Sequence, residues 1–256
     1  MKYALLLSAL ALCGLAGCVD DDLSLTIVNF AVIAPGMCTI APGGSVFQSG
    51  GQLDVGIASL GAPQGYHGYI AAPIVQNNLI ERATATTAET DAVDLTGFDI
   101  ELVAPASDPE VAGAINSLPL ANRKFFYAVA GGRIPPGGMS QVAVGVEVIN
   151  TDVARVLAKA VTTTGSRGGP PLIVHMRPVG ERAGLRLNGG YTDFPVNICK
   201  FCLTPAPQPC PTAGIPAAEF QAGGCFPEMD RSVSCCTDAA SSSLLCGAQA
   251  PEMTAK

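Results

Sequence analysis

Two short cysteine spacings are the parts of this chain best suited to covalent or metal chemistry. Cys199 and Cys202 are separated by two residues, and Cys235 directly precedes Cys236. A C-x2-C pair can supply half of a zinc ribbon, form a redox motif or close a disulfide. The sequence has no second C-x2-C pair and no strand–helix–strand pattern around the first. The spacing therefore favours disulfides over zinc or thioredoxin-type chemistry, and we expect no metal and no cofactor.

Carboxylates are the next candidates, because a pair of acidic groups can hydrolyse glycosides. Asp91, Asp94, Asp99 and Glu101 lie close together in the sequence. Asp99 and Glu101 are two residues apart in an alternating segment, so they share the polar face of a strand. The same acids offer oxygen ligands for calcium, although without the spacing of a calcium loop. A solvated strand has the same pattern, and this is the interpretation that the sequence favours.

The chain has two histidines, and neither lies in a recognisable catalytic motif. His175 is in step with Arg177 on the polar side of a predicted strand, which indicates a solvated residue. His67 lies in the aromatic run Tyr66-His67-Gly68-Tyr69 near a turn, and Tyr66, His67 and Tyr69 form a candidate ligand patch. The sequence contains no G-x-S-x-G, H-E-x-x-H, P-loop or EF-hand motif. We therefore assign no catalytic residue.

The start of the chain carries a targeting pattern. Lys2 precedes an apolar segment from Tyr3 to Leu12, which is half of the ~20 residues that a membrane-spanning helix needs. The segment ends in Leu15-Ala16-Gly17-Cys18. It resembles the signal peptide and lipobox of a bacterial lipoprotein.

The resemblance implies cleavage before Cys18 and lipid attachment to that residue. Val19 as the next residue favours outer-membrane sorting, with the periplasmic or surface face left open. Asp20 to Asp22 would then form a solvated tether between the lipid and the fold. We accordingly expect an anchored envelope protein that uses its acyl chains to hold the membrane.

Export also bears on the cysteines, because exported proteins fold in an oxidising compartment. With Cys13 removed and Cys18 lipidated, eight remain as disulfide candidates: Cys38, Cys199, Cys202, Cys210, Cys225, Cys235, Cys236 and Cys246. Since seven of them lie at residue 199 or later, parity predicts that Cys38 pairs with one of the seven. We expect Cys199 or Cys202 as its partner. That bond would close a loop of about 160 residues, worth roughly 4–5 kcal/mol in the chain-entropy model.

Alternation of apolar and polar residues dominates the chain and predicts nine or ten half-buried antiparallel strands. The clearest run has valine at four alternate positions from Val142 to Val148. Leu53, Val55 and Ile57 alternate in the same way with Gln52, Asp54 and Gly56, which predicts a strand with Asp54 on its polar side. One convincing helix is predicted, with Thr151 or Asp152 as its cap and apolar residues from Val153 to Ala160 on one side. A single turn is predicted for 108–117. This pattern predicts a mainly β protein, an antiparallel Ig-like β-sandwich with one short helix.

The predicted organisation has four parts. Residues 1–17 form the signal peptide, 18–22 the lipidated acidic tether, 23–202 the β-sandwich, and 203–256 a proline- and cysteine-rich appendage stapled by disulfides. The boundary at 203 follows from the proline-rich stretch that begins at Thr204.

Net charge and the absence of catalytic motifs limit the functions to consider. The formal charge of −7 argues against nucleic acid as a partner. We expect a non-enzymatic envelope lipoprotein that binds or displays, with an envelope protein or a glycan as its partner. The alternative is a secreted glycan- or ester-directed hydrolase with an unrecognised active site.

Overall fold

A computed structural model describes residues 24–33, 40, 43, 45–56, 68–81, 91–138, 140–165, 169–203, 208–209, 229–230, 235–237 and 244–246. Within these ranges the protein is mainly β, as the alternating sequence predicts, with several antiparallel sheets. Its first nine strands are β1 (Leu25–Phe30), β2 (Gly51–Asp54), β3 (Tyr69–Ala71), β4 (Pro73–Asn77), β5 (Val93–Val103), β6 (Lys124–Ala128), β7 (Arg133–Ile134), β8 (Gln141–Ala143) and β9 (Val146–Ile149). The others are β10 (Leu172–Arg182), β11 (Leu185–Asn188), β12 (Thr192–Cys199), β13 (Gln208–Pro209), β14 (Cys235–Thr237) and β15 (Leu244–Cys246).

The largest sheet has seven strands. Its main order is β2-β12-β10-β5-β6, with β11 paired to β10 and β7 paired to β5. The other sheets have the orders β1-β4-β8, β3-β9 and β13-β14-β15. β2 pairs with β12 in parallel, and β13 pairs with β14 in parallel. The β2–β12 pair therefore departs from the predicted antiparallel pairing, whereas β13 and β14 lie in the predicted appendage.

The two long central strands, β5 and β10, establish which side of the large sheet is buried. Leu172, Val174 and Met176 of β10 are fully buried, and Phe98 and Ile100 of β5 lie beside them in the same core. The polar residues that alternate with them, His175, Arg177, Asp99 and Glu101, are partly exposed, because successive strand residues point to opposite sides. The sheet therefore has one packed face and one solvent-facing side.

Helices cover more of the chain than the sequence predicts. Three are described, α1 (Pro109–Ser117), α2 (Leu120–Arg123) and α3 (Thr151–Ala160), where one short helix is predicted. α1 extends well beyond a single turn because Asp108 caps it, with the side chain accepting from the Val111 N–H. α3 is capped by Asn150 rather than by Thr151 or Asp152.

Two predicted strands are also corrected. The valine run is divided at Gly145 into β8 and β9, which belong to different sheets. Strand β2 ends at Asp54, where the sequence predicts alternation as far as Ile57 and a polar, outward Asp54. Asp54 is instead fully buried, for reasons given with the disulfide below. No helix in the described ranges is long and apolar enough to cross a membrane.

Candidate ligand-binding face

The solvent-facing side of the seven-stranded sheet carries two cross-strand rows of side chains, which we call the outer face. The register places Arg177 of β10 opposite Asp99 of β5, and Asp99 opposite Phe126 of β6. Tyr191, just before β12, lies beside Arg177, with the guanidinium 4.8 Å from the ring centroid. The first row thus reads Tyr191–Arg177–Asp99–Phe126, an ion pair with an aromatic ring at each end.

The second row consists of charged and titratable groups. His175 is in register with Asp193 of β12 on one side and with Glu101 of β5 on the other. Glu101 is in turn in register with Lys124 of β6. The row therefore reads Asp193–His175–Glu101–Lys124.

Ion pairs connect the charged groups of the outer face. Arg177 lies 3.0 Å from Asp99, and Arg186 of β11 reaches the same carboxylate at 3.4 Å. Lys124 lies 3.0 Å from Glu101, and the hydrogen bond to that carboxylate raises the pKa of the ammonium group. Asp99 and Glu101 of β5 thus each already have a cationic partner.

Aromatic contacts hold the ends of the first row. The His175 ring stacks on Tyr191 at 4.2 Å, and its Nδ1 lies 2.5 Å from Asp193 Oδ1. The Phe126 ring lies across Gly97 of β5, so closely that a Cβ at Gly97 would overlap the ring. The missing side chain is what lets the ring approach the neighbouring strand this closely. Tyr191 and Phe126 still keep 43% and 47% of their surface exposed.

A shallow depression of about 330 Å³ opens on this face. It is lined by polar and aromatic groups of β5, β6 and β10 together with Tyr191; among them are Asp99, Glu101, Lys124, Phe126 and Arg177. Its size is at the lower end of the ~300–1,000 Å³ range of small-molecule sites.

The acidic groups and the histidine of the outer face contact one another or basic side chains. His175 bonds to a carboxylate, and in the described part of the chain no serine hydroxyl bonds to its ring. Asp99 and Glu101 share one side of their strand, as predicted, but each carboxylate forms an ion pair with a basic side chain. Asp91 forms an ion pair with Arg182 at 3.1 Å, away from this face.

Cys199 and Cys202 are joined by a disulfide, which closes the turn that follows β12. The prediction that Cys38 pairs with one of them is therefore wrong, because each sulfur is already used. Buried Asp54 holds the same turn by accepting the backbone N–H groups of Phe201 at 2.7 Å and Leu203 at 2.9 Å. Burial of this acid follows from its role as a backbone acceptor.

Asp54, Cys199 and Cys202 are also the one group of potential metal ligands found among the described residues, with donor atoms within 4.8 Å of one another. Their donors are already used: the sulfurs bond to each other, and both Asp54 oxygens accept N–H groups. Lys200, between the cysteines, donates to Val161 O at 3.1 Å, beyond the end of α3. The turn is thus a structural junction between β2, β12 and α3.

Tyr69 of the predicted ligand patch is completely buried, so its side chain offers no surface to a ligand. Its hydroxyl donates to Asp230, far along the chain. Tyr66 and His67 lie outside the described residues.

The remaining predicted site residues are described in part or not at all. Cys18, Cys38, Cys210 and Cys225 lie outside the described residues. Cys235, Cys236 and Cys246 lie on β14 and β15, where the backbone is described. The sequence does not identify Tyr191 or Phe126 as candidate site residues. Phe126 lies in a run of three aromatic residues, so alternation alone could not decide which of them faces solvent.

Comparison with known proteins gives no relative from which a function could be inferred. No protein-family model, no curated protein and no solved structure matches the chain.

Proposed function

We propose that this protein is a lipid-anchored envelope protein without enzymatic activity, which binds a partner through the outer face of its large sheet. Attachment would be through lipid on Cys18, with the folded part held off the membrane by the acidic segment after it. We further propose that the β1-β4-β8 sheet and the seven-stranded sheet pack as an Ig-like sandwich. Support for the packing is the shared core that contains Leu25 of β1 and Val174 of β10.

One observation carries the binding proposal: the row Tyr191–Arg177–Asp99–Phe126 on the open side of the sheet. Large aromatic side chains are expensive to leave in water, and on a strand they normally pack inward. Here two of them remain close to half exposed beside a fixed ion pair. Exposed aromatics next to convergent polar groups are typical of binding sites.

The hydrolase alternative has less support. A glycosidase needs one carboxyl group free to give a proton and another free to attack or to activate water. Asp99 and Glu101 are each engaged by a basic side chain. A serine hydrolase needs a hydroxyl hydrogen-bonded to a histidine, and the described contact of the His175 ring is with Asp193.

Capture of partners from detergent-solubilised membranes tests the proposal. The tagged full-length protein is compared with the double variant Tyr191→Ala/Phe126→Ala. Phe47→Ala is the matched control, since Phe47 is as exposed as Phe126 but lies elsewhere. We expect a stoichiometric protein or glycan partner with the original chain and the control, and its loss with the double variant. Equal capture by all three would overturn the assignment of the face.

The anchor is tested separately by labelling cells with a radioactive fatty acid. We expect label on the full-length protein and none on Cys18→Ala, which should leave the membrane fraction. Lipid label on the Cys18→Ala protein would contradict the proposed anchor.

A further inference from the structure

We infer that the ligand of the outer face is an uncharged glycan, whose sugar rings pack on Tyr191 and Phe126 while the Arg177–Asp99 pair binds hydroxyl groups. This inference deepens the proposed function and rests on it. Three properties of the face support it: its charge balance, its shape and the position of its rings.

The charges of the outer face balance. Three acids, Asp99, Glu101 and Asp193, stand against three bases, Lys124, Arg177 and Arg186. Asp193 is paired to the His175 ring, so each acid has a partner on the face. A charged ligand would have to displace one member of an ion pair. The other member would then be left unpaired in a partly dehydrated site, which is costly.

An uncharged ligand avoids that cost. Hydroxyl groups both donate and accept, so one sugar can donate to the Asp99 carboxylate and accept from the Arg177 guanidinium while the ion pair stays intact. Hydrogen bonds to charged groups are stronger than those between neutral groups. An alternating row of fixed acceptors and donors therefore matches a polyhydroxyl ligand better than an anion or a cation.

The shape of the face favours a ring-sized group. The depression of about 330 Å³ is bordered by the exposed Tyr191 and Phe126 rings and has the ion pair within its lining. A pyranose ring has one face of C–H groups and a rim of hydroxyls. The C–H face packs on an aromatic ring, and the rim reaches the polar groups alongside.

Two rings border the depression, so a ligand with more than one sugar can contact both. The backbones of Tyr191 and Phe126 lie three strand-to-strand steps apart, about 14 Å at ~4.8 Å per step, and their rings reach inward over His175 of β10 and Gly97 of β5. The Phe126 ring contacts Gly97 and has the Arg186 guanidinium 5.6 Å from its centroid, and the Tyr191 ring stacks on His175. Rings that are held before binding lose little conformational entropy when a ligand arrives. We therefore expect an oligosaccharide to bind better than a single sugar.

Calorimetric titration of the full-length protein in detergent tests this inference with defined probes. The neutral probes are malto-, cello- and N-acetylated chito-oligosaccharides, and the anionic comparison is oligogalacturonate. We expect at least one neutral probe to bind, with an affinity that changes little between low and high salt, because no net charge is neutralised. Tyr191→Ala or Phe126→Ala should each weaken it about tenfold or more, because each removes an aromatic surface on which a sugar ring packs.

Two further variants complete the test. Phe47→Ala should bind like the original chain, and Tyr191→Phe should retain most of the affinity because the ring is kept. Equal thermal unfolding midpoints for all variants establish that the fold is intact. Loss of affinity in Phe47→Ala as large as in Phe126→Ala, or stronger salt-sensitive binding of oligogalacturonate, would overturn the inference.

The outcomes separate this inference from the proposed function. If no neutral probe binds but a protein partner is captured in a manner that depends on Tyr191 and Phe126, the glycan is wrong and the binding face stands. If neither a glycan nor a protein depends on these rings, both proposals fail.

Discussion

The hydroxyl group of Tyr69 donates a 2.6 Å hydrogen bond to the Oδ2 atom of Asp230, 161 residues further along the chain. The same carboxylate accepts from Gln48 Nε2 and from the backbone N–H of Gln52, both at 2.6 Å. Met229, one residue earlier, bridges to Leu53 of β2. A part of the chain that the sequence assigns to the appendage is thus built into the β domain, between β2 and β3.

Replacement of Asp230 should destabilise the β domain although the residue lies far from its strands in sequence. Asp230→Ala leaves the buried Tyr69 hydroxyl without its acceptor, which costs about 1–3 kcal/mol. Denaturant unfolding measures this loss. Asp94→Ala, which removes an exposed carboxylate, should change the free energy of unfolding by about 0.5 kcal/mol or less. Equal effects of the two variants would contradict the role of Asp230.

Tyr69 should also make the protein sensitive to alkali. Burial, and next the Asp230 carboxylate, raise the pKa of Tyr69 far above its ordinary value. The folded state therefore keeps this tyrosine neutral, while the unfolded chain ionises it near pH 10. Its contribution to stability is complete below about pH 10 and is lost at higher pH, by up to ~1.4 kcal/mol per pH unit.

Urea unfolding between pH 8.5 and 11 checks this expectation. Tyr69→Phe should be less stable than the original chain at neutral pH, and its stability should fall less steeply in alkali. A fall of equal slope in the two proteins would assign the alkaline loss to other groups.

Asp54 should be among the residues most sensitive to an isosteric change. In Asp54→Asn the amide oxygen can still accept the backbone N–H groups of Gly56 and Phe201. The amide NH2 group would then face the backbone N–H of Leu203, which loses its acceptor. A lost acceptor at a buried donor costs about 1–3 kcal/mol. Asp54→Ala, which removes all three bonds, should cost more. Denaturant unfolding measures both, and Asp94→Asn is the control for loss of a surface charge.

The Cys199–Cys202 bridge should contribute modestly to stability. It closes a loop of four residues, for which the chain-entropy model gives about 2 kcal/mol, well below the 4–5 kcal/mol of the long loop to Cys38. The double variant Cys199→Ser/Cys202→Ser should lose about that amount in denaturant unfolding. Non-reducing peptide mapping should recover these two cysteines joined to each other. Recovery of either joined to Cys38 would contradict the bridge.

Local patterns along the sequence predict which side of each strand is polar. His175 and Arg177 share one side of β10, and Asp99 and Glu101 share one side of β5, as alternation requires. The rows of the outer face could not be predicted in the same way. They depend on the register between strands about 80 residues apart, for which a single sequence carries no signal.

The errors have physical causes of the same kind. Asp54 reads as an outward residue because local alternation contains no information about the backbone N–H groups of Phe201 and Leu203, which arrive from 147 and 149 residues away. Tyr69 reads as part of a surface patch because its partner, Asp230, lies 161 residues away in sequence. Helix α1 is longer than the single turn predicted for 108–117, because the Asp108 side chain accepts the Val111 N–H and caps its first turn.

The contact made by Asp230 sets an order of events during biosynthesis. The chain is made from its N-terminus, and the carboxylate that joins β2 to β3 emerges 161 residues after Tyr69. If the protein is exported, the Tyr69 hydroxyl waits without its acceptor until those 161 residues have crossed the membrane. Completion of the β domain therefore comes only after residue 230 has been translocated, and a chain that stops before Asp230 cannot reach the same final state.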